Sequence, residues 1–267
     1  MVSGIESANL KLVRASEHLS AINGVIRKAA AVPNSYEIIK DANGKEVVNF
    51  LIPPDPQIAI LAGEIIYQLR SALDHLAFDL VQRNSPKFER SSFPLWAEIP
   101  KELLRIGHTK PPLPYNCFHK TLPGIPIDAF AFIESIQPYR GGVGAGIPNI
   151  VDIIAKLTNI DKHRHLYPIL PKIAVHQEIA YTKGQYKGFT GTSTMGGLGH
   201  GAEIKLPDAP TEDGAMYVKR SFTPYVTFNE IVGSGTDTLE SQNVLELCLK
   251  LLQGTIIPTF TNLLKNP

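Results

Sequence analysis

Arg70, Ser71, Asp74 and His75 fall within the six-residue run RSALDH, and side chains of these types suit chemistry on a phosphodiester. Arginine presents a planar fork of donors to phosphate oxygens. Histidine titrates near neutral pH and can move a proton from a ribose hydroxyl. Arg70 is therefore a candidate phosphate holder and His75 a candidate general base or acid. Ser71 and Asp74 would line the substrate. A plainer reading stands beside this one. Arg70 and Asp74 are four residues apart and can pair across one helical turn. His75 can simply satisfy a neighbouring polar group. The spacing is a weak motif, because the chain's arginines and histidines give about one Arg-x4–6-His match by chance.

A second cluster, Asp161-Lys162-His163-Arg164-His165, lies at the end of an expected helix. Cations favour a helix C-terminus, where carbonyls lack partners. That accounts for one or two of them, but not for the compact DKHRH grouping. His163 thus joins the catalytic candidates, and Asp161, Lys162 and Arg164 join the substrate-binding ones. Asp74, His75, Asp161, His163 and His165 would also suffice as oxygen and nitrogen ligands for a divalent ion if the two segments met. No fixed-spacing metal motif such as HExxH appears, so no metal or other cofactor is expected.

Other motifs carry less. The Gly-rich RGGVGAGIPN, Arg140 to Asn149, precedes a helix but lacks the Lys-Ser/Thr of a phosphate-binding loop. No Gly-x-Ser-x-Gly elbow is present. Cys117 and Cys248 are far apart, with no CxxC pair, so neither a zinc ribbon nor a disulfide framework is supported.

The elements that must position these residues follow from periodicity. Ile5, Ala8, Leu12, Ala15, Leu19, Ile22 and Ile26 form one stripe, which predicts a helix over 4–31 with Ser3 and Glu6 as a capping box. Two β-rich runs flank Asn43-Gly44 and predict a hairpin over 36–52 with a tight turn. A second long helix covers 57–82, its buried stripe running from Ile58 through Leu61, Ile65, Leu69, Leu73, Leu76 and Leu80. Glu64, Tyr67, Gln68, Arg70, Ser71, Asp74, His75 and Phe78 fall on its other side, within an arc of about 160°. Proline density from Pro86 to Pro148 predicts an irregular connection, with short helices near 101–106 and 127–136. A third substantial helix is expected over 148–161. Strands are expected at 174–182, 202–206, 215–221 and 224–231, with GFTGTSTMGGLGHG as a mobile loop. Asp237 and Glu240 would cap a last helix running to about Leu264 and kinked near Gly254–Pro258.

The expected fold class is α+β: a helical bundle of three to four long helices with an N-terminal β-hairpin and a small antiparallel sheet. The expectation is one domain over 1–267, with a helical core at about 4–31, 57–82, 127–161 and 237–264 and a β-rich segment at about 174–231. Composition agrees with a folded chain, because 43% hydrophobic and 19% charged residues exclude disorder. A net charge of +1 excludes broad electrostatic coating of nucleic acid but permits a compact anion site. The start of the chain lacks signal-peptide character and no uncharged apolar run reaches about 18 residues, so a cytoplasmic protein without a membrane span is expected.

LRSALDHLA, Leu69 to Ala77, resembles the Arg-x4–6-His signature of the HEPN superfamily of helical nucleotide-binding and RNA-cleaving domains. In that pattern a polar residue follows the arginine. Here it is Ser71, where Asn, Asp or His is commoner. A wider part of the chain is similar to uncharacterised bacterial proteins carrying LRSALDHLA, a central QPY (Gln137 to Tyr139) and NIDKHR (Asn159 to Arg164). The resemblance implies RNA binding or metal-independent cleavage through Arg70 and His75 of two protomers meeting in a homodimer. It does not reach Asp161, His163 or Arg164, whose involvement rests on chemistry alone. The competing expectation is a non-catalytic binding or scaffold protein in which Arg70, Asp74 and His75 form a structural polar network.

Overall fold

The computed structural model describes residues 3–32, 36–44, 46–51, 55–87, 91–96, 118, 121–140, 149–163, 169–181, 190–199, 216–228 and 241–265. Most of them are helical. Two long helices, α1 (Gly4–Ala30) and α2 (Pro56–Asn84), form the spine. Their starts are capped as helix starts require. Ser3 Oγ accepts from the Glu6 N–H, and Asp55 Oδ1 accepts from the Gln57 N–H at 2.8 Å. Pro56, which the hairpin-ending proline run had concealed, occupies the first turn of α2, where its missing N–H costs nothing.

α1 and α2 pack antiparallel. Gly4 meets Asp79, Ser7 meets His75 and His18 meets Glu64, so contacts run down α2 as they run up α1. The whole expected stripe of α2 is buried. Gly4 fixes the close end of this seam. A Cβ there would sit 2.5 Å from both the Asp79 carboxyl carbon and the His75 carbonyl. The Gly4 N–H donates to Asp79 Oδ2, placing a carboxylate at the N-terminus of α1.

Three further helical segments close the core. α3 (Ile127–Ser135) leads into a short 3-10 turn at Pro138–Arg140. α4 (Ile150–His163) lies beside α2 and begins where Asn149 Oδ1 accepts from the Asp152 N–H. α5 (Ser241–Leu251) continues through a π turn (Leu252–Ile256) into α6 (Ile257–Lys265). The expected kink is this π turn. Proline clashes with the carbonyl four residues back, here that of Gly254, and the wider π turn relieves it. The helix is therefore continuous. By length and composition alone, Ser241–Lys265 could cross a membrane. The helix reaches Lys265, close to the expected end at about Leu264. Its apolar face, with Leu245, Cys248, Leu252, Ile256 and Phe260, lies in the same core as α1 and α2.

Two antiparallel ladders accompany the helices. β1 (Tyr36–Lys40) pairs with β2 (Glu46–Phe50). Lys40 opposes Glu46, so the connection is longer than the tight two-residue turn expected from Asn43-Gly44. Asp41 organises it by accepting from the Asn43 N–H through its carboxylate and from the Gly44 N–H through its carbonyl. Gly44 takes the positive φ of 79°.

The second ladder runs in the order β4-β3-β5, with β3 at Ile169–Tyr181, β4 at Thr190–Gly199 and β5 at Met216–Phe228. Three expectations change here. Much of the stretch read as a mobile loop is β4, because pairing with β3 overrides its Gly and Ser content. Between the pairs Ile173–Leu198 and Val175–Met195, β4 carries one residue more than β3, a bulge that takes up Gly196 and Gly197. The two strands expected around Pro224 are one strand. β5 is an edge, where a missing N–H is tolerated. β3 also starts earlier than expected, through Pro171, which lies beyond the part paired with β4. β5 packs on α1 and α5. The expected helix at 101–106, the strand at 202–206 and the cap by Asp237 and Glu240 lie outside the described residues, as does most of the Gly-rich 140–149 loop.

Candidate functional site

Arg70 and Asp74 lie on the flank of α2 that faces residues 91–96, a strap of chain without regular structure. Arg70 Nε donates to Asp74 Oδ2 at 3.1 Å and Nη2 donates to Oδ1 at 2.9 Å. The pair then grips one strap residue at both of its backbone groups. Arg70 Nη2 donates to the Phe93 carbonyl at 2.7 Å, and the Phe93 N–H donates to Asp74 Oδ1 at 2.8 Å.

Gln137, from the QPY segment after α3, grips the next residues. Its Nε2 donates to the Pro94 and Ile133 carbonyls, both at 3.0 Å, and its Oε1 accepts from the Trp96 N–H at 3.1 Å. Gln137 is fully buried, so its amide replaces water for backbone groups that would otherwise lack partners. The strap holds Phe93 against Phe260 and Trp96 against Phe118. Nearby, Tyr139 donates to Glu134 and Arg140 pairs with the same carboxylate. Burial, and then Glu134, push the Tyr139 phenol up to about 12. The Arg140 guanidinium is raised by its own hydrogen bond to Glu134.

His75 faces the other flank. Its Nδ1 is 2.7 Å from Ser7 Oγ on α1, and its Nε2 is 3.5 Å from Ser71 Oγ, the limit of a hydrogen bond. The structure thus joins Arg70 with Asp74 and His75 with Ser71, and does not join Arg70 with His75. On the rest of the seam, His18 Nε2 is 3.1 Å from Glu64 Oε2.

Between the strap, α2 and α4 lies a cleft of about 240 Å³. Arg70, Ser92, Leu95, Trp96, Thr158 and Asn159 contribute to its walls. It brings the two candidate segments of the sequence together at one point, Arg70 from LRSALDHLA and Asn159 from NIDKHR. Asp161, Lys162 and His163 complete the last turn of α4, with side chains outside the described residues, as are Arg164 and His165 entirely. Among the described residues no three His, Cys, Asp or Glu groups gather to hold a metal ion.

Sequence reasoning missed Gln137 as a site-building residue and missed the strap entirely. A signal for Gln137 existed. Ala129, Ile133 and Gln137 recur at four residues, which puts a polar amide just past the end of α3 in line with its buried face. No family model, curated protein or solved structure matches the chain.

Proposed function

We propose that this chain is an α+β binding protein of HEPN-like helical layout, which holds a ligand in the α2–α4 cleft without cleaving it. Arg70, Asp74 and His75 serve as its structural polar network. One observation carries this reading: Arg70 and Asp74 together satisfy both backbone groups of Phe93. A guanidinium already neutralised by a two-point carboxylate keeps little charge for a phosphate. The imidazole that would have to move a proton is directed at α1 instead. The test is a pair of variants, Arg70→Ala and His75→Ala, followed by melting temperature, RNA binding and RNA cleavage. Lower melting temperatures with no cleavage in the parent support the reading. Parent cleavage abolished in both variants at unchanged stability defeats it.

A second reading draws on the cleft. Asn159 lines it with Arg70, and Lys162 and His163 follow within one turn of α4. In this reading the protein is an RNA-binding, metal-independent endoribonuclease acting as a homodimer. Arg70, Lys162 and Arg164 would hold phosphate, and His75 or His163 would move the proton. Gel-shift binding of RNA that weakens steeply with salt and is lost in Lys162→Ala favours it over the first reading.

A further inference from the structure

We propose that the cleft takes a small uncharged ligand through an amide-type edge, a donor and an acceptor side by side, that pairs with the backbone of Leu95. This rests on the reading of the cleft as the binding site and adds the class of ligand. In extended chain, successive residues direct their N–H and C=O groups to opposite sides. The strap follows this alternation. Both backbone groups of Phe93 meet α2 side chains, whereas the Pro94 carbonyl and the Trp96 N–H meet Gln137. Leu95 therefore sends its N–H and C=O to the same side as Phe93. Leu95 lines the cleft, and its backbone groups have no hydrogen-bond partner among the described residues.

The clamp on Phe93 shows what complements such a residue: a donor, Arg70 Nη2, beside an acceptor, Asp74 Oδ1. A carboxamide or a peptide main chain offers the same pair without charge. The charge of the walls points the same way. Arg70 is the one ionic residue lining the cleft among the described residues, and Asp74 neutralises it. Hydroxyl and amide groups of Ser92, Thr121, Thr158 and Asn159 supply the remaining polarity. The volume lies just below the roughly 300–1,000 Å³ of drug-sized sites, which suits a compact ligand.

Trp96 is the single tryptophan of the chain and lines the cleft, so its fluorescence reports occupancy. Full-length protein is titrated with N-acetylglycinamide, with an N-acetylated trialanine amide and with inorganic phosphate. The expected result is a saturable change in Trp96 emission with an amide and none with phosphate. Tighter binding of the tripeptide than of the small amide assigns the edge to a peptide main chain, and the reverse assigns it to a free amide. Leu95→Pro removes the N–H donor and should weaken amide binding about tenfold, the value of one hydrogen bond. Asn159→Ala, at an exposed position, should weaken it less and keeps the test available if Leu95→Pro does not fold. Saturation by phosphate with no response to either amide overturns the ligand class and leaves the cleft as a binding site. Silence with all three probes overturns the cleft reading itself. Amide binding unchanged in a folded Leu95→Pro overturns the assigned edge, and amide binding unchanged in Asn159→Ala overturns the placement of the ligand between the strap and α4.

Discussion

Arg70→Ala separates a structural arginine from a catalytic one, and its cost can be worked from the geometry. The substitution removes two hydrogen bonds to Asp74 and one to the Phe93 carbonyl. The Asp74 side chain is 33% exposed, so water resolvates it. Losing that pair should cost about 0–1 kcal/mol, as for exposed pairs. The carbonyl is different. Phe93 is 1% exposed, and an unsatisfied buried carbonyl costs about 1–3 kcal/mol. The total is about 1–4 kcal/mol. For a chain of this size each kcal/mol moves the midpoint by about 2–4 °C, so the melting temperature should fall by about 2–16 °C. Asp74→Ala acts on the same strap residue, so the double variant should be non-additive by about 1 kcal/mol. Helical circular dichroism and Trp96 fluorescence should be followed together, because Trp96 sits in the strap while the helices carry the dichroism. An Arg70→Ala protein that melts within 1 °C of the parent by both probes would refute the clamp.

Three other outcomes follow from the same structure. Gln137→Ala strands the buried Pro94 and Ile133 carbonyls and the half-buried Trp96 N–H, and should cost about 3 kcal/mol in denaturant unfolding; a loss under 1 kcal/mol would mean the strap is held otherwise. Gly4→Ala forces a methyl against Asp79 and the His75 carbonyl and should cost about 1–3 kcal/mol, whereas Gly24→Ala, with open space at that position, should not destabilise. Burial pushes the Cys248 thiol from 9.0 up to about 12, so the folded thiol stays neutral where the unfolded one ionises. The stability it contributes is intact below pH 9 and is lost as pH rises towards 12. Cys248→Ala should flatten that part of the pH profile, and identical slopes in both proteins would contradict it.

The helices were legible because burial imposes a period. The stripes of α1 and α2 lie on one face each, and every residue that the spacing of α2 picks out is buried, although Ala59, Ala62, Ile66, Ala72, Ala77 and Val81 widen the buried face beyond it. The caps were legible in part. Ser3 stood alone before its helix, but Asp55 was hidden in a proline run that looked like a stop signal. β4 was not legible, because TGTSTMGGLG has turn-forming composition and gains its strand character only from its pairing with β3. The strap was illegible for a stronger reason. Arg70 reaches a residue 23 positions away and Gln137 reaches residues 41 and 43 positions away. Side-chain clamps on irregular backbone leave no period to read.

The spacing of Arg70 and His75 decides how much a functional reading can draw from them. Five residues at about 100° each put two side chains about 140° apart around a helix. Such a pair cannot serve one neighbour from one helix face. In this chain the two flanks have separate employment: Arg70 meets the strap and His75 meets α1. For both to act on one phosphodiester, the strap would have to release Arg70, and Asp74 would have to give up its two-point contact. Catalysis through these residues therefore demands a rearrangement that also frees the backbone groups of Phe93. Binding in the cleft demands none, since Leu95, Trp96 and Asn159 already line it. Arg70, one half of the cleavage signature, is in this arrangement what holds one wall of the cleft in place.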